Sequence, residues 1–595
     1  MVFPAALTQA ELDTYFPRVR DRLKVDPNEP DPKKQPPVFE LGLVLAGTVS
    51  AGAYTAGVLD YLVQALDAWQ RAKEDGDPLA PPHKLVISTI GGTSGGAING
   101  ALLLRTASWG FARGAVKANP FYDTWVNRIS LDQLLAPESG PSATTFASAL
   151  NCSAIEAAAA NAIGVTGTPL GSTPDTPRHR AYFANPLRLF MMVGNVTGVP
   201  YTIDLLGASG LSHELSAHQD YMRFALDVPG GLSNPPIPRP DEIALSSNPT
   251  NSNWPILRNA ALATSAFPLA FRARDLSKSW EAVAYKVAVI PGVNEPGQVI
   301  QLIPRWTRFP TSTYNDPTTT FANVDGGTFN NEPLDVVRCA LAGYGSRNDR
   351  QADTADRAVV MIDPFSDAEN ITALDSSQLL KMVFPILGSL ISQARMKPED
   401  IALAYKEDAY SRFLVAPVGP GADGRGVVGA DAIASGPLGG FLGFVDRSFV
   451  DYDFQLGRWN AQAFITKHLM LPEAADNPIF RSWTAAQRNA YRYIVDGMAY
   501  LPLIPLMQSL KNASPTDFTL PWPALKAFPP TLKDKLNGRL DSIYDMVKSS
   551  LPWYARALLS IGILSAIKNA ITAKALAVIY KALNDHGLCP PPPPS

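Results

Sequence analysis

Three short stretches carry residues that can do chemistry together. Gly92-Thr93-Ser94-Gly95-Gly96 fits the pattern G-x-S-x-G. A serine in that setting sits on a sharp strand-to-helix turn, where neighbouring glycines avoid clashes and the hydroxyl projects beside the positive end of a helix. The chemistry it suits is nucleophilic attack on an acyl carbonyl. Upstream, Gly47-Thr48-Val49-Ser50-Ala51-Gly52 is a run of mostly small residues that can aim backbone N–H groups at a neighbouring strand end, as an oxyanion hole requires. The spacing fits neither a Walker A loop nor a G-x-G-x-x-G fingerprint. Downstream, Asp325 precedes Gly326 and Gly327. Alone this reads as a tight turn; beside the other two stretches it supplies the base that a serine needs.

These stretches need elements to hold them. Phe39 to Leu45 reads as a buried strand. Val58, Leu59, Leu62, Val63, Leu66 and Trp69 then fall at helical spacing, with Asp60, Gln64, Asp67 and Arg71 on the opposite face. Lys84 to Ile90 is a second strand, and a second helix begins around Gly95. Strand, helix, strand, helix implies a parallel sheet covered by helices. Further strands are expected at Leu187 to Val193, near Ala284 to Ile290, and at Ala358 to Ile362. Segments 376–395, 484–510 and 553–583 carry apolar residues at helical spacing, interrupted by Pro-containing turns. The organisation expected is an N-terminal arm and linker over 1–37 that includes a short helix, a catalytic domain over 38–365 with a surface insertion or lid at about 137–180, a mainly helical region over 366–589, and a proline tail at 590–595.

Taken together, the three stretches resemble the patatin-like phospholipase family. The resemblance covers roughly residues 38–365. It implies an α/β fold of three layers, α/β/α, around a mostly parallel sheet, with the helical C-terminal region added. It implies Ser94 as nucleophile and Asp325 as general base. Gly47, Thr48, Val49, Ser50, Ala51 and Gly52 fall in the oxyanion loop, Gly92 and Gly96 in the nucleophile elbow, and Gly326 and Gly327 in the base turn. Asn259 to Pro268 is similar to the family's Ala/Ser-rich helix before proline, and Val193 to Tyr201 to its Thr-Gly-containing strand pair. One departure stands out: the family's three glycines are here Gly47-Thr48-Val49, and Ala51 stands where Arg, Lys or Leu is usual. Backbone donors survive such changes, while two added side chains stand to narrow or block the cleft.

The activity this implies is hydrolysis of carboxylic esters of lipids or phospholipids through a Ser-Asp dyad and an acyl-serine intermediate, with no cofactor and no metal. Alternatives remain open. An acyltransferase would pass the acyl group to another acceptor. A Ser-Asp-His esterase would need His468 or His586, which come late enough in the chain. A non-catalytic lipid-binding protein on the same fold would follow from the lost glycines.

Bulk properties bound the partners. With 51 basic and 54 acidic residues the net charge is −3, which argues against a nucleic-acid footprint. Three scattered cysteines, Cys152, Cys339 and Cys589, make neither a disulfide framework nor a metal site, so a cytoplasmic setting is expected. No secretory signal is evident, and no apolar run reaches the length of a membrane span. The expected partner is a lipid or acyl-ester substrate. Peripheral contact with a membrane is the second expectation, since residues 553–583 can form an amphipathic helix.

Overall fold

A computed structural model describes residues 3–25, 37–138, 146–164, 167–204, 212–234, 239–248, 253–290, 297–313, 315–366, 409–513, 517–550 and 563–590, with a few positions between 389 and 395. Most of the expected linker, nearly all of the 376–395 helix, the first part of 553–583 and the tail prolines beyond 590 lie outside the described residues.

In chain order the main elements are α1 (Gln9–Tyr15), β1 (Val38–Leu45), α2 (Gly52–Glu74), β2 (Lys84–Gly92), α3 (Ser94–Thr106), α4 (Ser153–Gly164), β3 (Phe183–Asp204) and β4 (Ser212–Leu226). Next come α5 (Trp254–Thr264), β5 (Arg274–Ser279), β6 (Thr318–Asp325), α6 (Leu334–Ala342), β7 (Arg357–Ile362), β8 (Arg412–Val415) and α7 (Arg447–Lys467). Hydrogen-bonded neighbours run β8-β7-β1-β2-β3 and β3-β6-β5; β2 and β6 follow one another along one edge of the long strand β3, and β4 lines its other edge. The first four junctions are parallel; β6 is antiparallel to both β3 and β5.

The central strands read as continuous apolar runs because both faces are covered. In β1, Leu41, Leu43 and Leu45 enter the main core beneath α2 and α3. Val44 faces the other way, against Val337 and Leu341 of α6. Gly42 lies on that same face because a Cβ there would come within 2.4 Å of Val337. This is the three-layer α/β/α arrangement with a mostly parallel sheet.

The polar face expected on α2 is not solvated. Asp60 is fully buried and Asp67 nearly so. Asp60 pairs with Arg458, and Asp67 with Arg113 and with Arg180 at 2.8 Å. The covering layer comes from distant sequence, above all α7. That helix crosses α2 with backbones touching: a Cβ on Gly57 would lie 1.9 Å from Phe454 O, and one on Gly457 would lie 2.2 Å from Tyr54 O. The C-terminal third also gives the edge strand β8.

Two expectations are corrected. Over 484–510, where helical spacing interrupted by Pro-containing turns is expected, Ala485–Tyr491 is helical, but Tyr493–Val495 and Met498–Pro502 form a hairpin. Asp496-Gly497, both at positive φ, is the two-residue turn that breaks the pattern. Val287–Ile290 is a strand, but it pairs with Gln298–Gln301 in a separate two-stranded sheet.

Candidate active site

The topology of β3 brings the two key turns together. Gly92, the last residue of β2, pairs with Met191; Asp325, the last of β6, pairs with Val193. Both β3 residues also pair with β4 on the opposite edge. The strands β2 and β6 therefore lie on the same edge of β3, run toward each other, and end two positions apart. The turns at their C-terminal ends are delivered to one point.

At that point Ser94 Oγ donates to Asp325 Oδ2 at 2.7 Å. Ser94 has φ +50°, the strained left-handed conformation of a sharp strand-to-helix corner. The glycines there are sterically required. A Cβ on Gly96 would lie 2.2 Å from Leu45 O, and one on Gly92 would lie 2.8 Å from Ala97 Cα. The Ser94 amide donates to Thr264 Oγ1 at 2.9 Å, which ties the corner to the end of α5. Thr93 Oγ1 donates to Asn330 O at 2.9 Å.

Asp325 is 4 % exposed. Its second oxygen, Oδ1, accepts from the Gly327 amide at 2.8 Å, and its own amide donates to Ala266 O at 2.9 Å. Gly326 is fixed by Met192 O, 2.4 Å from where its Cβ would stand. Burial pushes the carboxyl up to about 7, against the pull of the Ser94 and Gly327 hydrogen bonds. A carboxyl near 7 is poised to accept a proton at neutral pH.

The 47–52 loop divides into two sets of amides. Gly47 N donates to Asn331 O at 3.2 Å, Ala51 N to Thr48 O at 3.0 Å, and Gly52 N to the carbonyls of Val49 and Ser50. The amides of Thr48, Val49 and Ser50 donate to no protein acceptor among the described residues. Val49 takes φ +47°, a conformation that a β-branched residue adopts only under strain. The loop therefore keeps a glycine-type backbone at a position where the side chain has grown. Thr48 Oγ1 is buried without a hydrogen-bond partner among the described residues and lies against Gly95, 2.4 Å from where a Cβ would be.

Several residues of this site carry no strong signal in the sequence. Thr264 orients the Ser94 amide. Asn331 Oδ1 lies within 2.2 Å and 2.8 Å of the Cβ positions of Gly47 and Gly327, wedged between loop and base turn, and its Nδ2 donates to Glu332 at 2.8 Å. Trp125 packs on Gly52 and Gly95 and donates to Asn99 at 2.9 Å. Pro437–Phe444, from the C-terminal third, clamps the loop: Ser50 Oγ donates to Gly440 O, and a Cβ on Gly440 would stand 2.8 Å from Thr48 O. Asn331 lies close enough behind the Asp325 turn to be suspected; the clamp leaves only a Gly-Gly pair in an apolar run as its signal.

Neither late histidine joins Ser94 and Asp325. His586 sits by Ile433 O and Asp431, and the His468 backbone caps the end of α7. Among the described residues no group of His, Cys, Asp and Glu is arranged to hold a metal, and no helix is long and apolar enough to cross a membrane.

A family model described as patatin-like phospholipase matches residues 43–157, the span from β1 through the Ser94 corner into α4. The uncharacterized protein y4iI of Sinorhizobium fredii (strain NBRC 101917 / NGR234) is 33% identical over 515 residues, covering 79% of this chain and 71% of that protein. Fold, shared sequence and family match agree, and the chain belongs to the patatin-like phospholipase family of lipid acyl hydrolases.

Proposed function

We propose that the protein is a serine-dependent acyl hydrolase of the phospholipase A or lysophospholipase type. The observation that carries this reading is the 2.7 Å hydrogen bond from Ser94 Oγ to a buried Asp325 carboxylate, which has no competing cation among the described residues. Asp325 takes the Ser94 proton as Oγ attacks the ester carbonyl carbon. The tetrahedral oxyanion is met by the uncommitted amides of Thr48, Val49 and Ser50, with the unbonded Thr48 hydroxyl as a side-chain donor beside them. Collapse expels the alcohol, which takes the proton from Asp325, and leaves acyl-Ser94. Water, deprotonated by Asp325, then releases the acid and restores the serine.

A lipid substrate brings the protein to a membrane surface. Exposed Ile571 and Val578, on the helix Ile563–Asp585, support peripheral contact there. The test is a panel of diacyl phospholipid, lysophospholipid and triacylglycerol esters, assayed beside Ser94→Ala. Release of fatty acid by wild type and none by the variant is expected; equal release by both overturns the reading.

A further inference from the structure

The C-terminal third touches each of the three loop residues whose amides are uncommitted, and in every case at a group other than the amide. Ser50 Oγ donates to Gly440 O, and a Cβ on Gly443 would stand 2.2 Å from that hydroxyl oxygen. The Cβ position of Gly440 lies 2.8 Å from Thr48 O and 3.2 Å from Val49 Cβ. The clamp thus meets Thr48 at its carbonyl, Val49 at its side chain and Ser50 at its hydroxyl.

The clamp is itself anchored to α7 at both ends. At its start the fully buried Asp453 accepts from the amides of Ala434 at 2.7 Å and Ser435 at 3.1 Å. At its end Asp446 caps α7 by accepting from the Ser448 amide at 2.8 Å. Between these anchors Leu438, Gly439 and Gly440 take φ of +53°, +60° and +90°, three left-handed residues in a row. The helix α7 crosses α2 with backbones touching, and α2 starts at Gly52, the last residue of the loop. Loop, α2, α7 and clamp therefore close a ring.

We infer that Ser50 and Gly440 are positioning residues, through which the C-terminal third holds Val49 left-handed and keeps the amides of Thr48, Val49 and Ser50 available to the oxyanion; the inference rests on the proposed hydrolase reading. Val49 is the reason a hold is needed. A β-branched residue at φ +47° is disfavoured, and without restraint it relaxes to negative φ. Relaxation swings the peptide planes on both sides of Val49, and with them the amides of Val49 and Ser50. Glycine would keep the same conformation unaided. The chain carries valine there and supplies the restraint from about 390 positions away.

The test uses the full chain and one ester throughout. Ser50→Ala keeps the backbone amide and deletes the anchor. It should lower kcat by about tenfold to a hundredfold, with KM changed by less than about twofold. Val49→Gly added to Ser50→Ala should recover most of that loss, because glycine needs no clamp. Val49→Ala added instead frees the same space but keeps a Cβ, so it should recover little. Unchanged kcat in Ser50→Ala, or equal recovery by glycine and alanine, overturns the inference. A second readout needs no turnover. The amides of Gly47, Ala51 and Gly52 are bonded in and beside the loop, and their hydrogen exchange should quicken by about tenfold in Ser50→Ala. Equal exchange in wild type and variant overturns the clamp while leaving the dyad intact. No ester turnover by wild type, with exchange still faster in Ser50→Ala, would instead sink the hydrolase reading and keep the clamp.

Discussion

Ser94 and Asp325 are separated by 231 positions in sequence and by 2.7 Å in space. Two strands ending head to head on one edge of β3 make the contact, so the dyad is a consequence of register. A one-residue slip of β6 against β3 would turn Asp325 to the other face of the sheet.

The pH dependence comes from the buried carboxyl. As base, Asp325 must be ionised, so kcat/KM for a neutral ester should fall below about pH 7 with a single ionisation. A profile flat from pH 5 to 8 would contradict that role.

Stability moves in the opposite sense. The folded carboxyl is raised from its ordinary 3.8 to about 7. Its contribution is therefore fully present below the unfolded value and is lost as pH rises through the folded one. Asp325→Asn cannot ionise, so it should be more stable than wild type at pH 8, on the order of a few kcal/mol, and the difference should close below about pH 4. Thermal melts of the pair across that range check this.

Thr48 offers a trade between stability and rate. Thr48→Val removes a buried hydroxyl that has no partner, which should stabilise the fold by about 1 kcal/mol. As an oxyanion donor its loss should lower kcat by about tenfold to a hundredfold with little change in KM. Unchanged kcat would remove the hydroxyl from the mechanism.

The crossing of α2 and α7 has no room for a side chain. Gly57→Ala must push a methyl into Phe454 O, so it should cost at least about 2 kcal/mol in denaturant unfolding. Gly76→Ala, where nothing lies within 4 Å but φ is +73°, should cost only about 1 kcal/mol.

The core of the site was legible because its signals are local. A glycine-flanked serine between a buried strand and a helix, and an acid before two glycines, each announce a turn by composition. Their meeting was not local; it took the family resemblance to pair them. The C-terminal contributions were hidden for the same reason. Asp60 and Asp67 read only as the opposite, polar face of a helix because the arginines that neutralise them lie far away in sequence. The Pro437–Phe444 clamp is invisible from the loop it holds, and the hairpin at 493–502 was masked by apolar residues that also fit a helix.

The central claim is that Ser94 is a nucleophile activated by Asp325. Labelling with a fluorophosphonate probe, with mapping of the modified peptide, tests it most directly. Wild type should be labelled at Ser94, Ser94→Ala should not be labelled, and labelling of Asp325→Asn should slow by about 10³-fold or more. Folded wild type that stays unlabelled, or labelling that persists in Ser94→Ala, would contradict the account.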